Sequence, residues 1–174
     1  LRAGAPRAAR SPRRHARRQG VTRLAVFLAT VAYCGYFPIA PGTAGSAAGL
    51  VVYLLVWWTR SPIVEVGLIV VTFAAGTWAA THAERYFGTI DPGPVVIDEV
   101  LGMLVTLAFI PAGWRAALAG FFLFRVFDVI KPYPANRLEK FHGGFGIMAD
   151  DAMAGVYANL SLRILIWLLP AWIR

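Results

Sequence analysis

Five carboxylates lie within or beside apolar stretches of the sequence, where an ionised side chain is costly. They are Asp98, Glu99, Asp128, Asp150 and Asp151. Acids persist in such segments mainly where they pair with cations, line water or bind ions. Ligation by oxygen atoms alone selects a hard cation, and Mg²⁺ typically takes one or two carboxylates together with waters and phosphate oxygens. The pattern therefore predicts a shared Mg²⁺ centre between helices, with helix capping as the alternative for one acid of each adjacent pair.

Two cations stand close to one of these acids. Arg125 lies three residues before Asp128, and Lys131 lies three residues after it. Arginine can contact a phosphate through two donors, and lysine supplies a compact charge. The cluster predicts a phosphate ester held beside a metal ion, and an ion pair at the end of a helix is the alternative.

A turn punctuated by glycine precedes an apolar stretch at residues 40–46, which read APGTAGS. Such a turn opens a helix and can point backbone N–H groups and hydroxyl donors, here those of Thr43 and Ser46, at an anion. The alternative is that Gly45, Ser46 and Gly49 let two membrane helices pack closely. No lysine follows the glycines, so the turn is not a Walker loop.

The elements that must position these residues are apolar helices. Hydrophobic residues make up 58% of the 174-residue chain, charged residues make up 15%, and the mean hydropathy is +0.60. These values exclude a disordered chain and favour a multi-pass membrane protein of one domain. The formal charge of +8 arises in the first 23 residues, whose eight arginines leave nine other basic residues to balance nine acids. The charge is therefore a basic tail, and we expect no nucleic-acid partner.

The succession of apolar segments predicts an all-α fold, a small multi-pass membrane bundle with about four spanning helices and short re-entrant or interfacial helices. Residues 1–20 are predicted to be a disordered basic cytoplasmic tail, and residues 21–174 a single helical membrane domain. Residues 24–37 are too few to span and are expected to be re-entrant or interfacial. The other predicted helices cover about 45–59, 63–82, 96–111, 116–127 and 152–173. If the tail is cytoplasmic, as the positive-inside rule predicts, eight of the nine acids gather at the cytoplasmic face.

Four segments in this order resemble the phosphatidylglycerophosphatase A family. They are 38–46 (PIAPGTAGS), 91–93 with 96–102 (DPG and VIDEVLG), 124–134 (FRVFDVIKPYP) and 143–155 (GGFGIMADDAMAG). The resemblance covers about residues 34–172. It implies hydrolysis of phosphatidylglycerophosphate to phosphatidylglycerol and phosphate, dependence on Mg²⁺, and a multi-pass location in the bacterial inner membrane.

The resemblance and the residues together imply a division of roles. Asp98, Glu99, Asp128, Asp150 and Asp151 are expected to hold Mg²⁺ directly or through water. Arg125 and Lys131 are expected to hold the phosphate, and Thr43 and Ser46 with their backbone amides are expected to form a second clamp. A water activated by the metal is the preferred nucleophile, and a phospho-aspartyl intermediate at Asp128 or Asp151 is the alternative.

Other classes of protein fit the sequence less well. A CDP-alcohol phosphotransferase would need an Asp-Gly dipeptide, which does not occur, and the three histidines lack the surroundings that a histidine-based lipid phosphatase requires. The single cysteine, Cys34, excludes an intrachain disulfide framework. A small ion channel or transporter that uses its intramembrane acids is the remaining alternative, although no internal repeat is visible.

Overall fold

The computed structural model describes residues 12–110 and 113–170, and helices are the regular elements of these two ranges. The seven α-helices are α1 (Pro12–Ala29), α2 (Pro41–Trp57), α3 (Pro62–Phe87), α4 (Ile97–Leu107), α5 (Trp114–Ile130), α6 (Ala135–Leu138) and α7 (Gly144–Leu168). A short 3-10 helix, Cys34–Tyr36, joins α1 to α2. The predicted all-helical class is therefore confirmed for the part of the chain that the structure describes.

Helix α4 is the centre of the bundle. It contacts α2, α3, α5 and α7, and 9 of its 11 residues are buried. At about 1.5 Å per residue it is roughly 16 Å long, which is too short to cross a hydrocarbon core of about 30 Å. Both of its ends therefore lie among the other helices, and the first of them carries Asp98 and Glu99.

Two glycines bring α2 against α4. A Cβ atom added at Gly45 would lie 2.7 Å from the Cβ of Val96, and one added at Gly49 would lie 2.8 Å from the Cβ of Met103. Side chains at these two positions would force the helices apart, so their absence sets the close approach. As a result the first turn of α2 lies beside the first turn of α4.

One helix in the described part of the chain is long and apolar enough to span a membrane. This is α3, with 26 residues and a mean hydropathy of 1.8 over its most apolar window. The apolar part of α1, residues 19–29, and α2 are shorter. The prediction of about four spanning helices is therefore not confirmed, because the apolar segments are divided into helices of unequal length that pack on one another.

Several boundaries differ from those predicted. Helix α1 begins at Pro12, so the residues 12–20 of the predicted disordered tail are helical, and residues 1–11 lie outside the described ranges. Helix α7 begins at Gly144 rather than at about residue 152. Asp150 and Asp151 therefore lie about two turns inside α7, and neither is its N-cap. Helix α7 begins earlier than predicted because the glycine-rich segment before the two acids is itself helical. The backbone N–H of Gly144 donates to the Thr81 hydroxyl, which holds this start of α7 against α3.

Candidate metal and phosphate site

Three helices bring the predicted acids to one end of the bundle. Asp98 and Glu99 lie in the first turn of α4, and Asp151 projects from α7, which packs along α4. One carboxylate oxygen from each of these three residues lies within 4.8 Å of the other two. Asp98 and Asp151 are buried, with 8% and 2% of their surface exposed. The remaining two acids approach the same place from α5 and α7.

Each of the three clustered carboxylates has one buried oxygen without a hydrogen-bond partner. Buried oxygens of Asp98 (Oδ1), Glu99 (Oε2) and Asp151 (Oδ2) accept no hydrogen bond from the residues that the structure describes. A buried carboxylate without a partner is strongly unfavourable, and three of them side by side also repel one another. The donor set consists of oxygen atoms and carries negative charge, so it fits a hard divalent cation such as Mg²⁺.

Asp128 and Asp150 lie close by but have partners. Asp128 Oδ2 accepts a hydrogen bond from Arg125 Nη1 at 2.6 Å. Asp150 Oδ2 accepts one from Lys131 Nζ, also at 2.6 Å, and Asp150 Oδ1 accepts one from the backbone N–H of Asp151. The structure thus brings all five predicted acids together. Three of them, the unpaired carboxylates, have no cationic partner and keep a buried oxygen without a hydrogen bond, and the other two are paired with a cation.

Arg125 lies between the paired and the unpaired acids. Its Nη1 atom is 3.4 Å from Ser46 Oγ. A Cβ atom at Gly42 would lie 3.1 and 3.2 Å from the two terminal nitrogens of Arg125 and would also collide with Glu99 Oε1. Glycine at position 42 therefore leaves room for both a guanidinium group and a carboxylate at the first turn of α2, a role that the sequence pattern did not single out.

The predicted second clamp is only partly assembled around this place. Ser46 is buried, and its hydroxyl donates to the carbonyl of Gly42 at 2.8 Å. Thr43 is exposed on α2. The backbone N–H groups of Thr43 and Ala44 both donate to the carbonyl of Ala40. These two amides already have partners, so an anion clamp at this turn stays a prediction.

Lys131 bridges two acids that are far apart in the sequence. Its Nζ lies 2.6 Å from Asp150 and 3.3 Å from Oε1 of Glu139, which follows α6. Burial opposes the positive charge, but the hydrogen bond and the charge of Asp150, assisted by Asp151 and Glu139, outweigh it and raise the pKa of Lys131 above its usual value. Lys131 is therefore charged at neutral pH.

Glu139 was not among the predicted site residues. It lies eight positions after Lys131, and only the reversal of the chain through α6 brings the two side chains together. Asp91, in the loop before α4, is a second acid outside the predicted set, and it lies close enough to interact electrostatically with Lys131 and Glu139. The position of neither acid in the sequence predicts its contact with Lys131, because both contacts depend on how the loops fold over the helix ends.

Comparison with known proteins adds independent information. The sequence model of the family described as Phosphatidylglycerophosphatase A matches residues 27–166. A Bacteroides thetaiotaomicron protein named "Putative phosphatidylinositol-3-phosphatase" is 36% identical over 153 residues, which cover 84% of this chain and 96% of that protein. Phosphatidylglycerophosphatase A of Escherichia coli is 35% identical over 144 residues, 79% of each chain. Phosphatidylglycerophosphatase A of Haemophilus influenzae is 36% identical over 133 residues, 75% of this chain and 82% of its own. No solved structure matches the chain.

Proposed function

Because the chain belongs to the phosphatidylglycerophosphatase A family, as its four motifs predicted, we propose that it hydrolyses phosphatidylglycerophosphate to phosphatidylglycerol and phosphate. Membership makes it a phosphatase, and the channel or transporter considered from the sequence is set aside. The matched residues, 27–166, include every residue of the candidate site. The observation that carries the proposal is the group of three carboxylates beside Arg125, each with a buried oxygen that accepts no hydrogen bond.

The unpaired carboxylates of Asp98, Glu99 and Asp151 are the residues that would hold Mg²⁺. Mg²⁺ supplies positive charge that polarises a phosphate ester and makes a coordinated water more acidic. Asp128 and Asp150 act differently in this proposal, because each already has a cationic partner. Asp128 orients Arg125, and Asp150 orients Lys131. Both acids are also proposed to contact Mg²⁺, directly or through water.

Arg125 is the residue best placed to bind the phosphate group. Its guanidinium lies at the first turn of α2, next to the unpaired Glu99 carboxylate. The ion pair with Asp128 fixes the orientation of its planar fork, which leaves other N–H groups to contact phosphate oxygens. Hydrolysis of a phosphate monoester is very slow without a catalyst, so charge held in place around the transferred group is the main requirement.

The proposed location is the bacterial inner membrane, with the site facing the cytoplasm. Arg23, which follows the basic segment, lines the same cavity as Tyr86 near the end of α3. That end of α3 leads directly into the loop that begins the site. The basic segment and the acids therefore lie at one end of the bundle, and positive charge usually stays on the cytoplasmic side. Helix α3, the candidate span found among the described residues, supports membrane association.

A second lipid substrate is favoured by one relative. The Bacteroides protein has a name that refers to phosphatidylinositol 3-phosphate rather than to a glycerol phosphate, and it matches 84% of this chain. Both lipids carry a phosphate monoester on a polyol that is joined to diacylglycerol through a phosphodiester. The site chemistry described above serves either monoester, so the polyol is the feature that distinguishes the two candidates.

The direct test is release of inorganic phosphate by the purified full chain in mixed micelles. We expect turnover of phosphatidylglycerophosphate with Mg²⁺ and its loss when the metal is chelated, with recovery when Mg²⁺ is restored. Phosphatidylinositol 3-phosphate, assayed in parallel, distinguishes the two substrates through kcat/KM. Equal rates in the presence and absence of the chelator would contradict the metal part of the proposal, and no release from phosphatidylglycerophosphate would contradict the substrate.

A further inference from the structure

The two carboxylates that contact Lys131 differ in burial and in distance. Asp150 contacts Nζ at 2.6 Å, and its side chain is 4% exposed. Glu139 is at 3.3 Å, and its side chain is 47% exposed. Asp150 also accepts the backbone N–H of Asp151, which ties it to α7. Asp150 is therefore the fixed partner of Lys131, and Glu139 covers the side of the ammonium group that faces solvent.

The contact between Glu139 and Lys131 is easily exchanged. Ion pairs at exposed positions contribute little, because water competes for both charges and two flexible side chains must be held in place. Glu139 follows α6, a helix of only four residues, so its side chain is not anchored by a long element. An anion that offers more charge than a single carboxylate can therefore take its place on Lys131.

We propose that Glu139 is an internal competitor for Lys131 that weakens the binding of phosphate ligands to the site. The inference depends on the proposed function, since it requires Lys131 to meet the substrate. A phosphate monoester carries nearly two negative charges at neutral pH, whereas a phosphodiester carries one. Either group must displace Glu139 before it can contact Lys131, so Glu139 weakens the binding of both by a similar factor. Glu139 thereby limits how tightly the site holds both reaction products, the phosphodiester lipid and inorganic phosphate.

The test replaces the carboxylate with an amide of the same shape, Glu139→Gln. Two constants are measured with the full-length protein in mixed micelles: the inhibition constant of phosphatidylglycerol, and the dissociation constant of inorganic phosphate from ³¹P NMR titration. Both constants should decrease roughly two- to fivefold, as expected for removal of a partly exposed ionic competitor.

Glu65→Gln is the matched control. It removes the same charge from the other end of the bundle, where Glu65 accepts the backbone N–H of Phe109, and glutamine can still accept that bond. Both constants should keep their wild-type values in this variant. If Glu65→Gln tightened binding as much as Glu139→Gln, the cause would be net charge and the proposal would be wrong.

Two further results would overturn the proposal. Unchanged constants in Glu139→Gln would show that the carboxylate does not compete, and weaker phosphate binding would show that it positions Lys131 instead. Glu139→Asp, which keeps the charge with a shorter reach, should give intermediate constants. Phosphate titration needs no turnover, so it decides the role of Glu139 even if the wild-type protein fails to hydrolyse phosphatidylglycerophosphate and the proposed function itself is wrong.

Discussion

The two ends of helix α4 differ in how their polar groups are satisfied. Its first turn carries carboxylates with buried oxygens that accept no hydrogen bond. At its last turn, side chains of α7 donate hydrogen bonds to the carbonyl groups that have no partner within the helix. The amide of Asn159 donates to the carbonyls of Val105, Thr106 and Ala108 at 3.2, 2.9 and 3.0 Å. Arg163 donates to the carbonyl of Ala108 as well. Both ends face the same physical demand, since buried polar groups need partners.

The segment after α4 continues this pattern. Tyr53 donates its hydroxyl to the carbonyl of Ile110 at 3.0 Å, and Glu65 accepts the backbone N–H of Phe109 at 2.9 Å. Side chains from α2, α3 and α7 thus complete the end of a helix that stops inside the bundle, where water and lipid offer little compensation. The comparison shows that one end of α4 has side-chain partners for its buried polar groups, whereas the other end, where the proposed Mg²⁺ would bind, keeps carboxylate oxygens without partners.

The largest effect should follow from Asp151→Asn, which removes a charge beside the first turn of α4, called the unpaired end, and keeps the shape of the side chain. Even residues that only support a metal ligand cost about 10- to 100-fold when lost, so loss of a ligand should lower kcat/KM at least about a hundredfold. The melting temperature without Mg²⁺ should not fall, because the variant removes an unpaired buried charge. Phosphate release and thermal unfolding measure the two quantities. Near wild-type turnover in a folded variant would show that Asp151 is not a ligand.

Asn159→Ala, at the last turn of α4, called the paired end, should lower stability and leave turnover unchanged. Three carbonyl groups lose their common donor, and the free energy of unfolding should fall by about 1–3 kcal/mol. The kcat of the folded fraction should stay unchanged, because the amide lies at the end of α4 that is remote from the acids. Unfolding in a denaturing detergent measures the loss. Thr106→Val is the control, since the Thr106 hydroxyl bonds only within its own helix, and loss of activity without loss of stability in Asn159→Ala would break the comparison.

Arg125→Lys tests geometry rather than charge at the unpaired end. Lysine keeps the positive charge but cannot offer two parallel donors, so kcat/KM should fall about tenfold, as for one charge-assisted hydrogen bond worth about 1.5 kcal/mol. Arg115→Lys makes the same change near the start of α5 and should leave kcat/KM as it is. Full activity in Arg125→Lys would mean that phosphate needs only a point charge here.

Glu65→Gln should have the smallest effect. The amide oxygen can still accept the backbone N–H of Phe109, so only the contribution of the charge is lost, which is less than about 1 kcal/mol for an exposed bond. Thermal unfolding measures this change. A loss as large as that in Asn159→Ala would show that the charge of Glu65, and not only its acceptor, is needed at the paired end.

Much of this organisation was predictable from the sequence. The helical class follows from apolar stretches interrupted by proline and glycine, and the acids and cations of the site stand in short motifs that are read locally. Arg125 and Asp128 are three residues apart on one helix, so their ion pair could be anticipated from spacing alone. The number of spanning helices could not, because composition does not reveal that α4 stops at Leu107 within the bundle.

Composition and motifs by themselves determined the helical class, the family and the residues with reactive side chains, because these depend on residue type and local order. Tertiary structure decided which carboxylates stay unpaired and which find a cation, since Lys131 and Asp150 are 19 residues apart and Asn159 lies 54 residues from Val105. It also placed Glu139 against Lys131 through the turn at α6. Such pairings arise from helix packing and loop reversal, which bring together charges that no spacing along the chain connects.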